Sequence, residues 1–298
     1  MHPLIADGPT TLVDRRLWWT GDSGGPQTWV GHADRFPVGV ASCGEASCDV
    51  PSERSRQVVI LAPMPLELDA ITSAFGLRPT GERAGDRAGA PWTGRVGDST
   101  VTAVHVGMGP GPTREATARL VELGLPHGVK VDHVMIAGIC GGLDPDLPVG
   151  TVVNPEILVE HSTGISYRHH PPGDTELRGK LITTETVLFD TELSHRFFAD
   201  GCLAVDMESS AVAEVCEARG VEWSVYRCIG DRHFDGLLDA RLVAMTNPDG
   251  SPDVAAIGKL LAEEPELAER LERLGRDATR AAQLAAEAAL RGCLALDG

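Results

Sequence analysis

Three carboxylates beside strand ends are the residues of this chain whose type and spacing could do chemistry. Asp231 closes an apolar strand, Glu208 lies where a second strand gives way to a helix, and Glu67 lies early in the helix after the first strand. Burial raises the pKa of a carboxyl group, so Asp231 could hold a proton and donate it to a leaving group. Glu208 could accept hydrogen bonds from a diol, and Glu67 could orient or activate a water molecule.

Each of these positions also has a simpler interpretation. Glu67 could be a surface residue of its helix, and Glu208 could only favour the positive end of the helix that it precedes. If side chains alternate along the last strand, Arg227 shares a face with Ile229 and Asp231. The simpler interpretation of Arg227 is an ion pair with a nearby acid.

Alternating apolar strands and helices predict how the carboxylates could meet. Strands at 58–62, 101–106, 133–137, 203–206 and 223–229 are separated by glycine-rich turns and helical segments. This alternation favours the α/β class: a single three-layer domain with a mostly parallel mixed sheet flanked by helices. In such folds, ligands collect at the carboxyl ends of the strands.

Glycines follow two of these strands at the end where a ligand would bind. Gly107 and Gly109 follow the second strand, and Gly138 follows the third. Glycine lets backbone amides approach a ligand closely, and a helix that starts there favours negative charge. A tight turn without a ligand explains any one of these glycines equally well, so their joint placement makes them candidates for a base or nucleophile pocket.

The chain divides into an irregular arm and one domain. Residues 1–55 are rich in Gly, Pro, Asp and Ser, and we interpret them as an irregular N-terminal arm. Residues 56–298 form the predicted domain, which includes a helical C-terminal extension from about residue 240. Residues 161–180, which contain His169 and His170, are expected to form a loop over the site with solvated histidines.

Composition excludes several classes of partner. The 298 residues include 43 acidic and 26 basic side chains, which gives a formal net charge of −17. Such a charge repels phosphate backbones, so we expect no nucleic-acid partner. We also expect no membrane span, because no apolar run reaches about 18 residues, and no signal peptide, because the start lacks a basic and apolar stretch.

Cysteine usage favours a reducing compartment. Cys43 and Cys48 are the only close pair among seven cysteines, and no second pair or histidine cluster completes a zinc site. We therefore expect a cytoplasmic protein with reduced thiols and no bound metal.

Six segments in a fixed order resemble the nucleoside phosphorylase superfamily, especially its methylthioadenosine/S-adenosylhomocysteine nucleosidase branch. They are 62–67 (APMPLE), 106–109 (VGMG), 137–143 (AGICGGL), 149–153 (VGTVV), 205–211 (VDMESSA) and 227–231 (RCIGD). The resemblance implies cleavage of a purine nucleoside, with Asp231 protonating N7 of the base. It further implies that Glu208 and Met207 hold the ribose, that Glu67 positions the attacking water, and that the protein is a homodimer.

The chain departs from this family at several positions. Ile139 replaces a serine that helps to bind the nucleophile, and Gly230 replaces a serine beside the acid. Val187 stands where an aromatic residue stacks on adenine. The usual phosphate-binding arginines are missing, which leaves Arg114 and Arg227 as candidates to bind phosphate.

The tail segment 242–250 (LVAMTNPDG) resembles the hopanoid-associated nucleoside phosphorylases. That resemblance implies a large 5′ substituent on an adenine nucleoside, and phosphorolysis of adenosyl-hopane-type substrates is one alternative function. Water and inorganic phosphate both stay open as the acceptor, and no other cofactor is expected. The departures also leave open a nucleoside-binding module that has lost catalysis.

Overall fold

The computed structural model describes residues 55–80, 91–237 and 239–297. The predicted arm at 1–55, with Cys43 and Cys48, therefore lies outside the described residues apart from Ser55. Within the described residues, no helix is both long and apolar enough to cross a bilayer.

The described residues alternate strands and helices, as the sequence predicts. The strands are β1 (Gln57–Ala62), β2 (Arg78–Pro79), β3 (Trp92–Val96), β4 (Ser99–His105), β5 (His133–Gly142), β6 (Val152–Val153), β7 (Ile157–Glu160), β8 (Ser166–Arg168), β9 (Lys180–Thr183), β10 (Cys202–Asp206) and β11 (Glu222–Arg232). The helices are α1 (Pro65–Phe75), α2 (Pro110–Leu123), α3 (Thr191–Ala199), α4 (Ser209–Arg219), α5 (Ala240–Val243), α6 (Val254–Glu263) and α7 (Leu267–Ala295).

One mixed sheet forms the middle layer, in the order β2-β3-β4-β1-β5-β10-β9-β7-β8, with β11 also paired to β5. Its centre is parallel, because β5 lies between β1 and β11 and runs in the same direction as both. Strands buried on both faces are expected to be apolar throughout, and Val58–Ala62 of β1 is fully buried.

The end of β5 creates the space for a site. Parallel pairing with β1 ends at Ile136, but β5 continues to Gly142. Its free edge there pairs antiparallel with β10, through Gly141 and Val205. As a result, the residues that follow β10, from Met207 onwards, lie next to the carboxyl end of β1.

Helices cover both faces of the sheet. α1 and α7 pack on one face around Ile60 and Met135, and α2 and α4 pack on the other around Leu61 and Ile136. The tail is therefore part of the three-layer domain, since α7 lies against β11, β5 and α1. Its contact stripe is made of small residues, including Ala281, Ala285, Ala286 and Ala289, all fully buried. The predicted fold class is confirmed.

Several local predictions were wrong. The glycines at 138–142 lie inside β5 instead of in a turn, and Asp231 lies within β11 instead of after it. Residues 161–180 contain a short strand, β8. His169 is buried, not solvated: its ring hydrogen-bonds to the carbonyl of Pro155 and accepts from the backbone N–H of Val225. These two hydrogen bonds explain how a histidine can be buried at this position. Burial lowers the pKa of His169 to about 4.

Two glycines of α7 should respond in opposite ways to alanine. A Cβ at Gly292 would overlap the hydroxyl of the buried Tyr226, whereas Gly275 faces open space. We expect Gly292→Ala to destabilise the fold by about 1–3 kcal/mol through overpacking. Gly275→Ala should stabilise it by up to about 1 kcal/mol, because alanine has the higher helix propensity. Thermal unfolding of both variants checks this, and equal shifts in Tm would contradict the packing of α7.

Candidate active site

Arg227 lies at the centre of a buried group of three carboxylates. Its guanidinium is fully buried, with Nη2 3.0 Å from Glu208 Oε2 and Nε 2.9 Å from Asp206 Oδ2. Its Nη1 lies 3.7 Å from Glu67 Oε1 and donates to the carbonyl of Ile139 at 3.3 Å. Burial alone would lower the pKa of Arg227, but the charges of the three acids raise it overall.

Glu67 is the third residue of α1, and two backbone amides donate hydrogen bonds to its carboxylate. Its Oε2 accepts from Met64 N at 2.8 Å, and its Oε1 accepts from Ile139 N at 2.7 Å. Burial raises the pKa of Glu67 to about 7; Arg227 opposes the shift and the charge of Glu208 adds to it. A carboxyl group with this raised pKa can take up or release a proton near neutral pH.

Gly138 makes room for Glu67 in the middle of β5. A Cβ at this position would overlap Glu67 Oε1 and would lie 2.7 Å from Arg227 Nη1. Ile139, the next residue, contributes only its backbone to this group, because its side chain packs against Ala281 and Ala285 of α7. The departure from serine at 139 therefore removes a hydroxyl without filling the site with an apolar side chain.

Glu208 precedes α4 and contacts the first glycine turn. Its Oε1 accepts from Gly109 N at 2.7 Å. Gly107 and Gly109 have φ values of 84° and 95°, which favour glycine. The methyl group of Met207 lies 3.8 Å from the place where a Cβ of Gly109 would be. Burial raises the pKa of Glu208, although Arg227 opposes the shift.

Asp206 is a site residue that the sequence reasoning did not single out. Its Oδ1 accepts from Thr183 Oγ1 at 2.7 Å, and its Oδ2 accepts from the backbone N–H of Ser209 at 3.1 Å and from the Ser209 hydroxyl. These bonds leave Oδ2 facing Arg227 Nε and so orient the guanidinium. An acid at the end of an apolar strand was the available signal.

Asp231 lies apart from the Arg227 group, on a bulge of β11. Ile229 faces Cys140, but Asp231 rather than Gly230 faces Gly141, so the regular alternation from Arg227 ends at Ile229. The side chain is half-buried. Burial raises the pKa of Asp231 to about 6, and the charge of Asp235 adds to the shift.

Gly141 connects Asp231 to the rest of the site. It pairs with Asp231 on one side and with Val205 on the other, directly before Asp206. The neighbouring thiol of Cys140 is buried, which raises its pKa; the charges of Arg227, Asp206 and Asp231 all act on it. Asp231 and Arg227 therefore lie on the same strand, β11, which pairs with the end of β5 through Gly141 and Gly138.

Val187 is half-buried in the segment 184–190, between β9 and α3. This segment begins beside Asp206, because Thr184 N donates to the Asp206 carbonyl at 2.9 Å. It reaches the turn after Asp231, where the His233 side chain bonds to the backbone of Leu188. Val187 thus belongs to a loop that borders the site from Asp206 to His233.

A cleft of about 450 Å³ lies elsewhere, at the amino ends of β5 and β11. Its lining includes His133, Glu222 and Trp223. Burial lowers the pKa of His133 to about 4, and its ring hydrogen-bonds to Ser224 at 2.8 Å. This cleft is at the opposite edge of the sheet from Glu67, Glu208 and Asp231.

Comparisons with solved structures show which known proteins share this fold. The structure matches the 5′-methylthioadenosine/S-adenosylhomocysteine nucleosidase of Helicobacter pylori with a TM-score of 0.57 at 17% identity, covering 80% of this chain and 97% of that one. The S-adenosylhomocysteine nucleosidase of Streptococcus pyogenes gives 0.58 at 17%, covering 82% and 98%. The futalosine hydrolase of Helicobacter pylori gives 0.56 at 17%, covering 81% and 97%.

The mixed sheet and its two helical layers are therefore the α/β fold that these solved structures share. The family model of the phosphorylase superfamily matches residues 57–177 and 174–290. The chain belongs to that superfamily.

Gly138→Ala should lower the free energy of unfolding by more than is expected for the addition of one methyl group. The added methyl group must displace Glu67 or Arg227, and breaking a buried ion pair costs about 3–5 kcal/mol. Gly111→Ala is the matched control, because Gly111 lies in the first turn of α2 with open space around it. Chemical denaturation measures both variants; a Gly138→Ala variant as stable as the control would show that the site tolerates a Cβ.

Proposed function

We propose that the protein hydrolyses the N-glycosidic bond of an adenine nucleoside that carries a 5′ substituent. The observation that carries this proposal is the pairing of two acids with different environments at the end of β5. Glu67 has a pKa of about 7 beside the buried cation Arg227, and Asp231 has a pKa of about 6 further along the strand that carries Arg227. Acids separated in this way can divide the roles of base and acid.

The proposed reaction uses each group once. Asp231, in its protonated form, donates a proton to N7 of the base while the C1′–N9 bond breaks and its electrons move into the purine ring. Glu208 accepts hydrogen bonds from the ribose hydroxyls, with Met207 against the sugar. Glu67 takes a proton from water as the water oxygen bonds to C1′. The products are the free base and a ribose with a hydroxyl at C1′.

Water fits the site better than phosphate. All three nitrogens of the Arg227 guanidinium already face carboxylate or carbonyl oxygens. Arg114, the other candidate for phosphate, is paired with Glu214 of α4 at 2.8 Å. An anion next to Arg227 would therefore meet one cation and three acids, which disfavours phosphate through charge repulsion.

The features of Glu67 and Asp231 also argue against a module that only binds nucleosides. Binding of a ribose needs Glu208 and the glycine turn, but it needs neither a base near neutral pH nor a proton-holding acid. Glu67 is fully buried and makes two backbone hydrogen bonds, which a surface helix residue would not make.

A second candidate is the cleavage, by phosphorolysis, of an adenosyl group that carries a hopane-like hydrocarbon. α6 is the observation that favours a large apolar substituent. Its residues are apolar apart from Lys259 and Glu263, yet none of them is buried. α6 begins at Val254, shortly after the tail segment 242–250 that resembles the hopanoid-associated branch. The paired state of Arg227 and Arg114 argues against phosphate as the acceptor in either candidate.

A homodimer in the cytoplasm stays our prediction. The cysteines of the described residues are free thiols and buried, which is compatible with a reducing compartment.

Asp231→Asn should abolish most activity while the fold is retained. The amide has almost the same shape but cannot donate a proton to N7, and general acid catalysis is typically worth about 10²–10⁴-fold. Release of adenine from 5′-methylthioadenosine measures the loss, with the exposed Asp174→Asn as control. Near-normal kcat in the Asp231 variant would remove this residue from the mechanism.

The pH profile of kcat/KM should be bell-shaped. Glu67 must be ionised, so its contribution grows as the pH rises through about 7, whereas the proton on Asp231 is lost as the pH rises through about 6. Because the base has the higher pKa, activity should be greatest between these two values. Asp235→Asn removes a charge that raises the pKa of Asp231, so the limb near pH 6 should move to lower pH. A flat profile, or an Asp235 variant with an unchanged limb, would contradict this assignment.

A further inference from the structure

A self-bonded turn in the C-terminal tail lies against the site. Residues 246–252, which we call the tail turn, connect α5 to α6. Asn247 N donates to the Ser251 carbonyl at 2.8 Å, and Gly250 N donates to the Asn247 carbonyl at 2.8 Å. The Ser251 hydroxyl also bonds to Asp249 Oδ1 at 2.6 Å. The tail turn therefore has a defined shape of its own.

The tail turn contacts the first glycine turn through its backbone. The Pro248 carbonyl accepts from Met108 N at 3.3 Å, between Gly107 and Gly109. The next carbonyl, of Asp249, lies 2.8 Å from His105 Nε2. The first glycine turn, whose Gly109 amide donates to Glu208, is therefore hydrogen-bonded to the tail turn.

The same turn contacts the residue before α1. Gly250 has a φ of 80°, and a Cβ there would overlap Met64 Cγ and lie 2.9 Å from Met64 Cβ. Met64 in turn donates its backbone N–H to Glu67. The backbone of Gly250 therefore fixes where the Met64 side chain can lie.

The geometry of a ribonucleoside indicates which part of the substrate would lie next to the tail turn and Met64. C1′ carries the base and C4′ carries the 5′ carbon, so these two groups leave the sugar ring at opposite ends of the C2′–C3′ edge that bears the diol. If the diol lies at Glu208 and the base extends to Asp231, the 5′ carbon extends away from Asp231, and we place it beside Met64, which contacts both Glu67 and the tail turn. Methionine side chains are apolar and adaptable, so they suit an apolar 5′ group.

We propose that the tail turn, through the contact of Gly250 with Met64, determines the size of the apolar 5′ substituent that the site accepts. This inference rests on the proposed function for the orientation of the nucleoside. It assigns a specificity-determining role to a segment that lies outside the strands and helices carrying Glu67, Glu208 and Asp231.

The test compares Gly250→Ala with a matched glycine of the same tail. Gly236 has a similar left-handed φ of 61° but faces open space, so Gly236→Ala controls for backbone strain alone. The readout is the ratio of kcat/KM for 5′-butylthioadenosine to that for adenosine. Gly250→Ala should lower this ratio about tenfold, because fit in an apolar pocket is worth about that much per methylene group. Gly236→Ala should leave it unchanged.

A second substitution separates the contact from a general loss of structure. Adding Met64→Ala to Gly250→Ala removes the overlapping atoms, so the double variant should regain the lost preference. Met64→Ala alone should extend acceptance to longer 5′-alkylthio chains, and it serves in place of Gly250→Ala if that variant does not fold. Equal losses on both substrates, or no rescue in the double variant, would overturn the proposal.

Binding distinguishes failure of this inference from failure of the proposed function. Dissociation constants for the same two nucleosides are measured by calorimetry on each variant. A wild-type protein that binds both but releases no adenine would refute hydrolysis, and the ratio of its two Kd values would then test the tail turn. A wild-type protein that binds both nucleosides equally would refute the tail turn as a determinant of size.

Discussion

The buried guanidinium of Arg227 is the constraint on which the rest of the site depends. A cation without solvent needs partners on every side, and removing one partner of a buried pair costs about 3–5 kcal/mol. The fold supplies acids from three elements: Glu67 from α1, Asp206 from β10 and Glu208 from the start of α4. The glycine at position 138 follows from this constraint, because a Cβ there would overlap Glu67 Oε1 and would lie 2.7 Å from Arg227 Nη1.

The charge balance around Arg227 also decides the chemistry that the site can perform. Three acids share one cation, so the attraction of Arg227 is too small to offset the burial of Glu67, and the pKa of that acid rises instead of falling. An acid that would be a weak base in water becomes one suited to neutral pH. The same shortage of positive charge makes the site unfavourable for an anionic acceptor. The pKa of Asp231 is raised for a separate reason, because its side chain is buried on the bulge and the charge of Asp235 adds to the shift.

Local patterns predicted the parts of this site that depend on neighbouring residues. A helix follows the first strand, as predicted, because Pro65 suits the first turn of α1 and Gly76, with a φ of 63°, ends it. Glu67, Glu208 and Asp231 could be selected as candidates from the sequence because each lies at or near the end of an apolar strand. The partnership of Asp206 with Thr183 depends on the register of β9 and β10, which alternation does not reveal. The bulge at Gly230 likewise adds a residue that a simple period of two cannot show.

Glycine in a strand was the most misleading signal. Glycines usually end strands, so 138–142 were expected to form a turn, yet β5 needs Gly138 where Glu67 enters the space of a Cβ. For the C-terminal tail, the alanines predicted a helical extension, and the structure shows that α7 also completes one layer of the domain. Gly138 and the alanines of α7 are both small because each packs against residues that are distant in the sequence.

The central claim is that a site with one cation and three acids directs water to C1′. Its most direct test is the reaction of 5′-methylthioadenosine in water labelled with heavy oxygen, with inorganic phosphate present, followed by mass spectrometry of the sugar product. We expect a 5-methylthioribose that carries heavy oxygen at C1 and is formed at a rate independent of phosphate. A sugar 1-phosphate, formed only when phosphate is supplied, would contradict the account.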